Sequence, residues 1–144
     1  MGVNNKVFVD TWAWLAIANG NDNYHEAAKE CLEDISSNNK EMVTSDYVLD
    51  EVITSLFSKA SHESSVRFIE ALLQSAEKGE LAIERVDEGR FHQAWLMRKK
   101  YTDKNNISLT DFSSFIIMRD LKIKQAFTGD NHFLKVNMGF EIIP

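Results

Sequence analysis

Short β-branched runs that alternate with amphipathic helical stretches constrain this chain more than any other feature. Lys6-Val7-Phe8-Val9 ends in Asp10 and predicts a first strand. Met42-Val43, Leu81-Ala82-Ile83, Gln125-Ala126-Phe127-Thr128 and Phe140-Glu141-Ile142-Ile143 repeat the pattern. Between them the apolar spacing is helical. Thr11 to Ala18 stops at Asn19-Gly20, and Tyr24 to Ser37 places Ala27, Ala28, Cys31, Leu32 and Ile35 on one face. Ser45 reads as the N-cap of a helix carrying Val48, Leu49, Val52, Ile53 and Leu56. His62 to Lys78 turns Val66, Ile69, Leu72 and Leu73 inward and ends at Gly79. A helix over Asp87 to Tyr101 and a Ser108-capped helix with Phe112, Phe115, Ile116 and Leu121 complete the pattern. Short strands alternating with helices pair most economically in parallel through crossovers. The fold class is α/β.

The only proline among the 144 residues is the last one, and no linker or repeat interrupts the chain. A single domain over residues 1–144 is expected. With 44% apolar and 26% charged residues, intrinsic disorder is excluded as the main state. Cys31 is the sole cysteine, so neither an internal disulfide nor a thiolate zinc site can form, which suits a reducing compartment. The longest apolar run, Trp12 to Ala18, has seven residues, far short of a membrane span. Asp10 interrupts any signal-peptide reading, and Lys6 stands where a myristoylation signal after Gly2 wants Ser or Thr. A soluble, cytoplasmic protein without a membrane partner is the expectation.

Net charge is −6, and it is concentrated: residues 1–72 carry 5 basic and 12 acidic side chains, residues 73–144 carry 11 and 10. That balance argues against a protein that coats DNA by neutralising phosphates. It is compatible with carboxylates that hold a divalent metal, because the ion inverts the local sign.

Four carboxylates fall where ligands of parallel sheets collect, at the carboxyl ends of the strands. Asp10 follows the first strand, Asp130 follows the fourth by one glycine, and Glu51 and Asp111 sit in helices that begin near the same edge. Each has a plain structural explanation as well. Asp10 can cap the next helix, Asp111 stands three residues after Ser108 as in a capping box, Glu51 lies outside the apolar stripe, and Asp130 is in a turn sequence. Together they would repel one another, and a hard divalent cation such as Mg²⁺ resolves that repulsion. Such an ion also activates water and stabilises charge on a phosphoryl oxygen.

Phe8-Val9-Asp10-Thr11, Tyr47-Val48-Leu49-Asp50-Glu51, Ser108-Leu109-Thr110-Asp111-Phe112 and Thr128-Gly129-Asp130-Asn131-His132-Phe133 together resemble a PIN domain. More closely, the whole chain resembles the VapC-type ribonuclease toxins of prokaryotic toxin–antitoxin pairs. That resemblance implies a three-layer α/β/α fold around a mostly parallel sheet of four or five strands. It also implies a Mg²⁺- or Mn²⁺-dependent endoribonuclease, with Asp10, Glu51, Asp111 and Asp130 as catalytic and metal-holding acids. Asp50 or Asp46 competes with Glu51 for its place. Thr11 is a candidate helper.

Trp12 and Trp14 stand where the family commonly has small residues; Trp12 reads as core, with a groove-lining role as the alternative. His132 reads as a turn and packing residue beside Phe133 and stays outside the catalytic set. His25, His62 and His92 have no metal-site spacing.

Arg98, Lys99, Lys100 and Lys104 form the one dense basic cluster, either a solvated helix end or an RNA contact. The implied partners are RNA, a small antitoxin and a second copy of the chain, with apolar helix surface near Trp14 and Val52 available to them. Alternative functions are a degenerate PIN-like module that binds RNA or protein without turnover, and a metal-dependent phosphohydrolase. A haloacid-dehalogenase-type site would want an Asp at position 12, which is Trp, and a receiver-type acidic pair is absent upstream of Asp10.

Overall fold

The first strand forms at Lys6–Val9 (β1), and the chain passes through Asp10 into helix Thr11–Ala18 (α1). The structure is a computed structural model that describes residues 4–144, so Gly2 lies outside the described residues. There follow α2 (His25–Ser37), β2 (Glu41–Ser45), α3 (Asp46–Lys59), α4 (His62–Glu77) and β3 (Leu81–Glu84). The second half holds α5 (Glu88–Lys100), α6 (Leu109–Leu121), β4 (Gln125–Phe127), α7 (His132–Lys135) and β5 (Glu141–Ile143). The helix starts are chemically defined. The hydroxyls of Ser45, Ser61 and Ser108 accept from the backbone N–H of Val48, Ser64 and Asp111, which satisfies amides the first turn leaves free. Gly79, at φ +80°, follows the last turn of α4, a conformation that a residue with a Cβ resists.

All five strands are parallel, in the order β3-β2-β1-β4-β5. The chain builds outward from β1 through β2 to β3, then returns to β1's other side. The switch point therefore lies between β1 and β4, where open α/β sheets collect ligands. Right-handed crossovers put α1–α4 on one face and α5–α7 on the other. The packing agrees: α1 meets α2 and α3, α3 meets α4, and α6 meets α5 and α7. Val7, Phe8 and Val9 have no exposed surface, as a central parallel strand covered on both faces requires. No helix among the described residues is long and apolar enough to cross a membrane.

Trp14 and Val52 are themselves buried, and the apolar surface beside them is that of Ile53 and Phe57 on α3; the Trp14 indole N–H donates to Thr44 Oγ1 at 3.2 Å. Two expectations need correction. Val66 and Leu73, expected inward, are 37% and 42% exposed. Periodicity marks an apolar stripe but not whether an element is there to cover it. The second is α7, a single turn absent from the sequence reading.

Candidate active site

Register builds the first half of the site. Val7, Phe8 and Val9 lie opposite Gln125, Ala126 and Phe127, so Asp10 and Thr128 leave adjacent strands side by side. Asp10 N–H donates to the Phe127 carbonyl, and Thr128 N–H to that of Ile143. The Thr128 hydroxyl then donates to Asp10 Oδ2 at 2.9 Å and accepts from the Asp130 N–H at 3.0 Å. One threonine thereby sets the spacing of two carboxylates.

Helices supply the other half. Thr11 Oγ1, one residue past Asp10, donates to Glu51 Oε1 at 2.8 Å. Of the competing acids, Asp46 is committed elsewhere: its Oδ1 accepts from the N–H groups of Tyr47 and Val86. Asp50 is exposed. Asp111 sits in the first turn of α6 and completes a capping box with Ser108. Its Oδ2 accepts from Ser108 N–H at 3.4 Å and lies 2.9 Å from His132 Nδ1.

His132, left outside the set in the sequence reading, is in fact central to the cluster. Its Nδ1 also lies 3.1 Å from Asp130 Oδ2, while its backbone N–H donates to Asp130 Oδ1 at 2.9 Å. The neighbouring Phe133 is fully buried edge-on against Phe115, with centroids 5.0 Å apart at 85°, and this fixes α7 to α6. The signal in the sequence was the offset of two between Asp130 and His132. The turn role expected there is real, and the side chain has a second role.

Electrostatics mark the cluster as costly without a counter-charge. Asp10 is 3% exposed; burial first, then the negative charges of Asp111 and Asp130, push its carboxyl up to about 7 against the pull of the Thr128 hydrogen bond. Burial likewise raises Glu51 and Asp111, the latter opposed by His132. Asp10 Oδ1 is the one buried side-chain polar atom among the described residues without a hydrogen-bond partner. An acceptor in that state lacks a donor or a cation. Asp111, Asp130 and His132 each offer a ligand atom, all within 4.8 Å of one another. This donor set fits a divalent cation.

The basic cluster resolves into unlike parts. Arg98 donates to the carbonyls of Tyr101, Lys104 and Ile107 at 2.7–3.0 Å, and its guanidinium lies 5.0 Å from the Phe112 ring centroid. It ties the α5–α6 loop to α6, so three of its five donors are spent on the fold. Arg98→Ala is expected to cost roughly 1–3 kcal/mol, because the carbonyls lose a charge-assisted partner; a urea midpoint equal to wild type would show the tie to be dispensable. Lys99 and Lys100 are exposed. Trp12 is half-buried, tilted against Tyr24 at 5.4 Å and pressed so closely on Gly129 that a Cβ there would lie 2.4 Å from its ring.

A doubly wrapped parallel sheet with acids gathered at its switch point is the arrangement of a PIN domain. Residues 7–138 match that family, and the chain belongs to it. More particularly, the chain is VapC-type: it is 30% identical over 127 residues to VapC20 of Mycobacterium tuberculosis, a 23S rRNA-specific endonuclease, across 88% of this chain and 91% of the relative. The crystal structure of VapC20, described as a sarcin-ricin loop cleaving toxin, matches with a TM-score of 0.78 at 28% identity, covering 91% of this chain and 95% of that one. VapBC2 of Rickettsia felis, bound to a promoter DNA fragment, matches at 0.71 with 14% identity, covering 96% of this chain and 99% of its own. FitAcB of Neisseria gonorrhoeae matches at 0.68 with 13% identity and 96% coverage of both. These two share the fold.

Proposed function

We propose that this protein is a divalent-metal-dependent endoribonuclease, the toxin of a toxin–antitoxin pair. The observation that carries the reading is the convergence of Asp10, Asp111 and Asp130 at the sheet's switch point, with Asp10 Oδ1 buried and unpaired. Asp10, Glu51, Asp111 and Asp130 would hold the cation, Mg²⁺ or Mn²⁺. When bound, such an ion lowers the proton affinity of water and neutralises charge that develops on the phosphoryl oxygens. The chain's own groups provide the positioning. Thr128 fixes Asp10 against Asp130, and Thr11 holds Glu51 through Oε1. Holding these side chains in place before RNA arrives spares the reorganisation that a mobile site would need.

The substrate is RNA, and the name of the M. tuberculosis relative makes 23S rRNA the first to offer. A small antitoxin and a second copy of the chain are the proposed partners. The apolar residues left on the surface, Ile53, Phe57, Val66 and Leu73 on α3–α4 and Phe91, Trp95 and Leu96 on α5, provide area for them to cover. Lys99, Lys100 and Lys104 are the remaining candidates for backbone contacts.

The test is cleavage of 23S rRNA by purified protein with Mg²⁺ or Mn²⁺, and with excess chelator. Cleavage is expected with either ion and none with chelator. Undiminished cleavage in chelator would overturn the metal mechanism, and RNA binding without cleavage under every condition would favour a binding module.

A further inference from the structure

We infer that His132 is itself a ligand of the cation, and that its nitrogen tilts the site toward Mn²⁺ over Mg²⁺. This rests on the metal-dependent reading above and goes past it, since the acids alone would make an all-oxygen site. The geometry is specific. His132 Nδ1 lies 2.9 Å from Asp111 Oδ2 and 3.1 Å from Asp130 Oδ2, and the three atoms belong to one cluster within 4.8 Å. A single N–H on Nδ1 points along one line and can align well with only one of two carboxylates. A cation among the three atoms serves all of them.

The ring's aim is imposed by the fold. The His132 side chain is 16% exposed, its backbone N–H is held by Asp130 Oδ1, and Phe133 is buried against Phe115. An independent observation points to the same missing charge: Asp10 Oδ1, buried and without a donor, belongs to a carboxylate close enough to feel both Asp111 and Asp130. Carboxylate oxygens suit both Mn²⁺ and Mg²⁺, but Mn²⁺, as a transition ion, accepts an imidazole nitrogen more readily than Mg²⁺, which keeps to oxygen ligands and its own waters.

Mn²⁺ and Mg²⁺ titrated calorimetrically into chelator-stripped wild type and His132→Gln, with pulsed electron paramagnetic resonance on the Mn²⁺ form, test the assignment. Wild type is expected to show imidazole ¹⁴N coupling to bound Mn²⁺, which changes to ¹⁵N coupling when only histidine is ¹⁵N-labelled. His132→Gln is expected to lose the coupling and about tenfold or more in Mn²⁺ affinity, with Mg²⁺ affinity changed less than Mn²⁺ affinity. The labelling arm needs no variant to fold. Bound Mn²⁺ without nitrogen coupling in wild type, coupling that persists in His132→Gln, or equal weakening of both ions would overturn the inference and leave His132 as an N–H donor that positions the two carboxylates. If wild type bound neither ion, the metal-dependent reading would fall first, and this inference with it.

Discussion

Asp10→Asn is expected to remove RNA cleavage and yet to raise the melting temperature of the metal-free protein above pH 7. Changes in residues behind a metal ligand already cost roughly 10–100-fold in affinity or activity, so removing a ligand's charge should cost at least about a hundredfold in cleavage rate. The stability effect has the opposite sign. Asp10 is buried, and its carboxyl is raised from 3.8 to about 7 by burial and by Asp111. A carboxyl raised in the folded state favours folding while it is protonated. That stability is fully present below about pH 4 and is lost as pH rises through 7. Near pH 8, then, metal-free wild type bears a penalty on the order of a few kcal/mol that neutral Asn avoids, while near pH 4 the two proteins should melt alike. For a chain of this size the difference at pH 8 amounts to roughly 5–10 °C. Saturating Mn²⁺ should reverse the order, because the ion stabilises only the folded state that binds it. An Asp10→Asn variant that melts well below wild type in chelator at pH 8 would make Asp10 a structural residue.

How much of this was visible in the residues depends on which force set each feature. β1 and the starts of α3 and α6 were legible because a β-branched run and a serine cap act locally. That Asp10 and Asp130 reach one edge was legible because both border strands, and register carries such residues together. Glu51 could not be separated from Asp46 and Asp50 by spacing. What separates them is a contact forty residues away, the Thr11 hydroxyl on Glu51 and the Val86 N–H on Asp46.

His132 and Arg98 were misread in opposite directions. His132 was taken for a turn residue because its backbone role is local, whereas its ring meets Asp111, twenty-one positions back, only when α7 docks on α6. Arg98 was grouped with its lysine neighbours as one patch of charge. A guanidinium has five donors in a planar fork, and three carbonyls of the following loop occupy this one. Val66 and Leu73 show the remaining limit. Their spacing is right for a buried stripe, yet Val66 and Leu73 stay 37% and 42% exposed, because spacing does not say which face another element will meet.

Asp111 separates a ligand from a cap most sharply, because in this fold the same oxygen is placed for both. Ser108 Oγ accepts from Asp111 N–H at 3.0 Å, and Asp111 Oδ2 accepts from Ser108 N–H at 3.4 Å while facing His132. The return bond is long, so its loss should cost toward the low end of the roughly 0.5–2 kcal/mol typical of capping changes. Asp111→Ala loses that bond as well as the charge, so it should melt modestly below Asp111→Asn and abolish cleavage. Asp111→Asn keeps an oxygen for Ser108 and removes a negative charge beside Asp10, so in chelator its melting temperature should match or exceed that of wild type. Its cleavage rate should still fall at least about a hundredfold, since the ligand charge is gone. Melting curves in chelator and cleavage rates in Mn²⁺, measured on both variants, decide the matter. Near-normal cleavage by Asp111→Asn, with a stability loss confined to Asp111→Ala, would reduce Asp111 to a cap and take it out of the cation's ligand set.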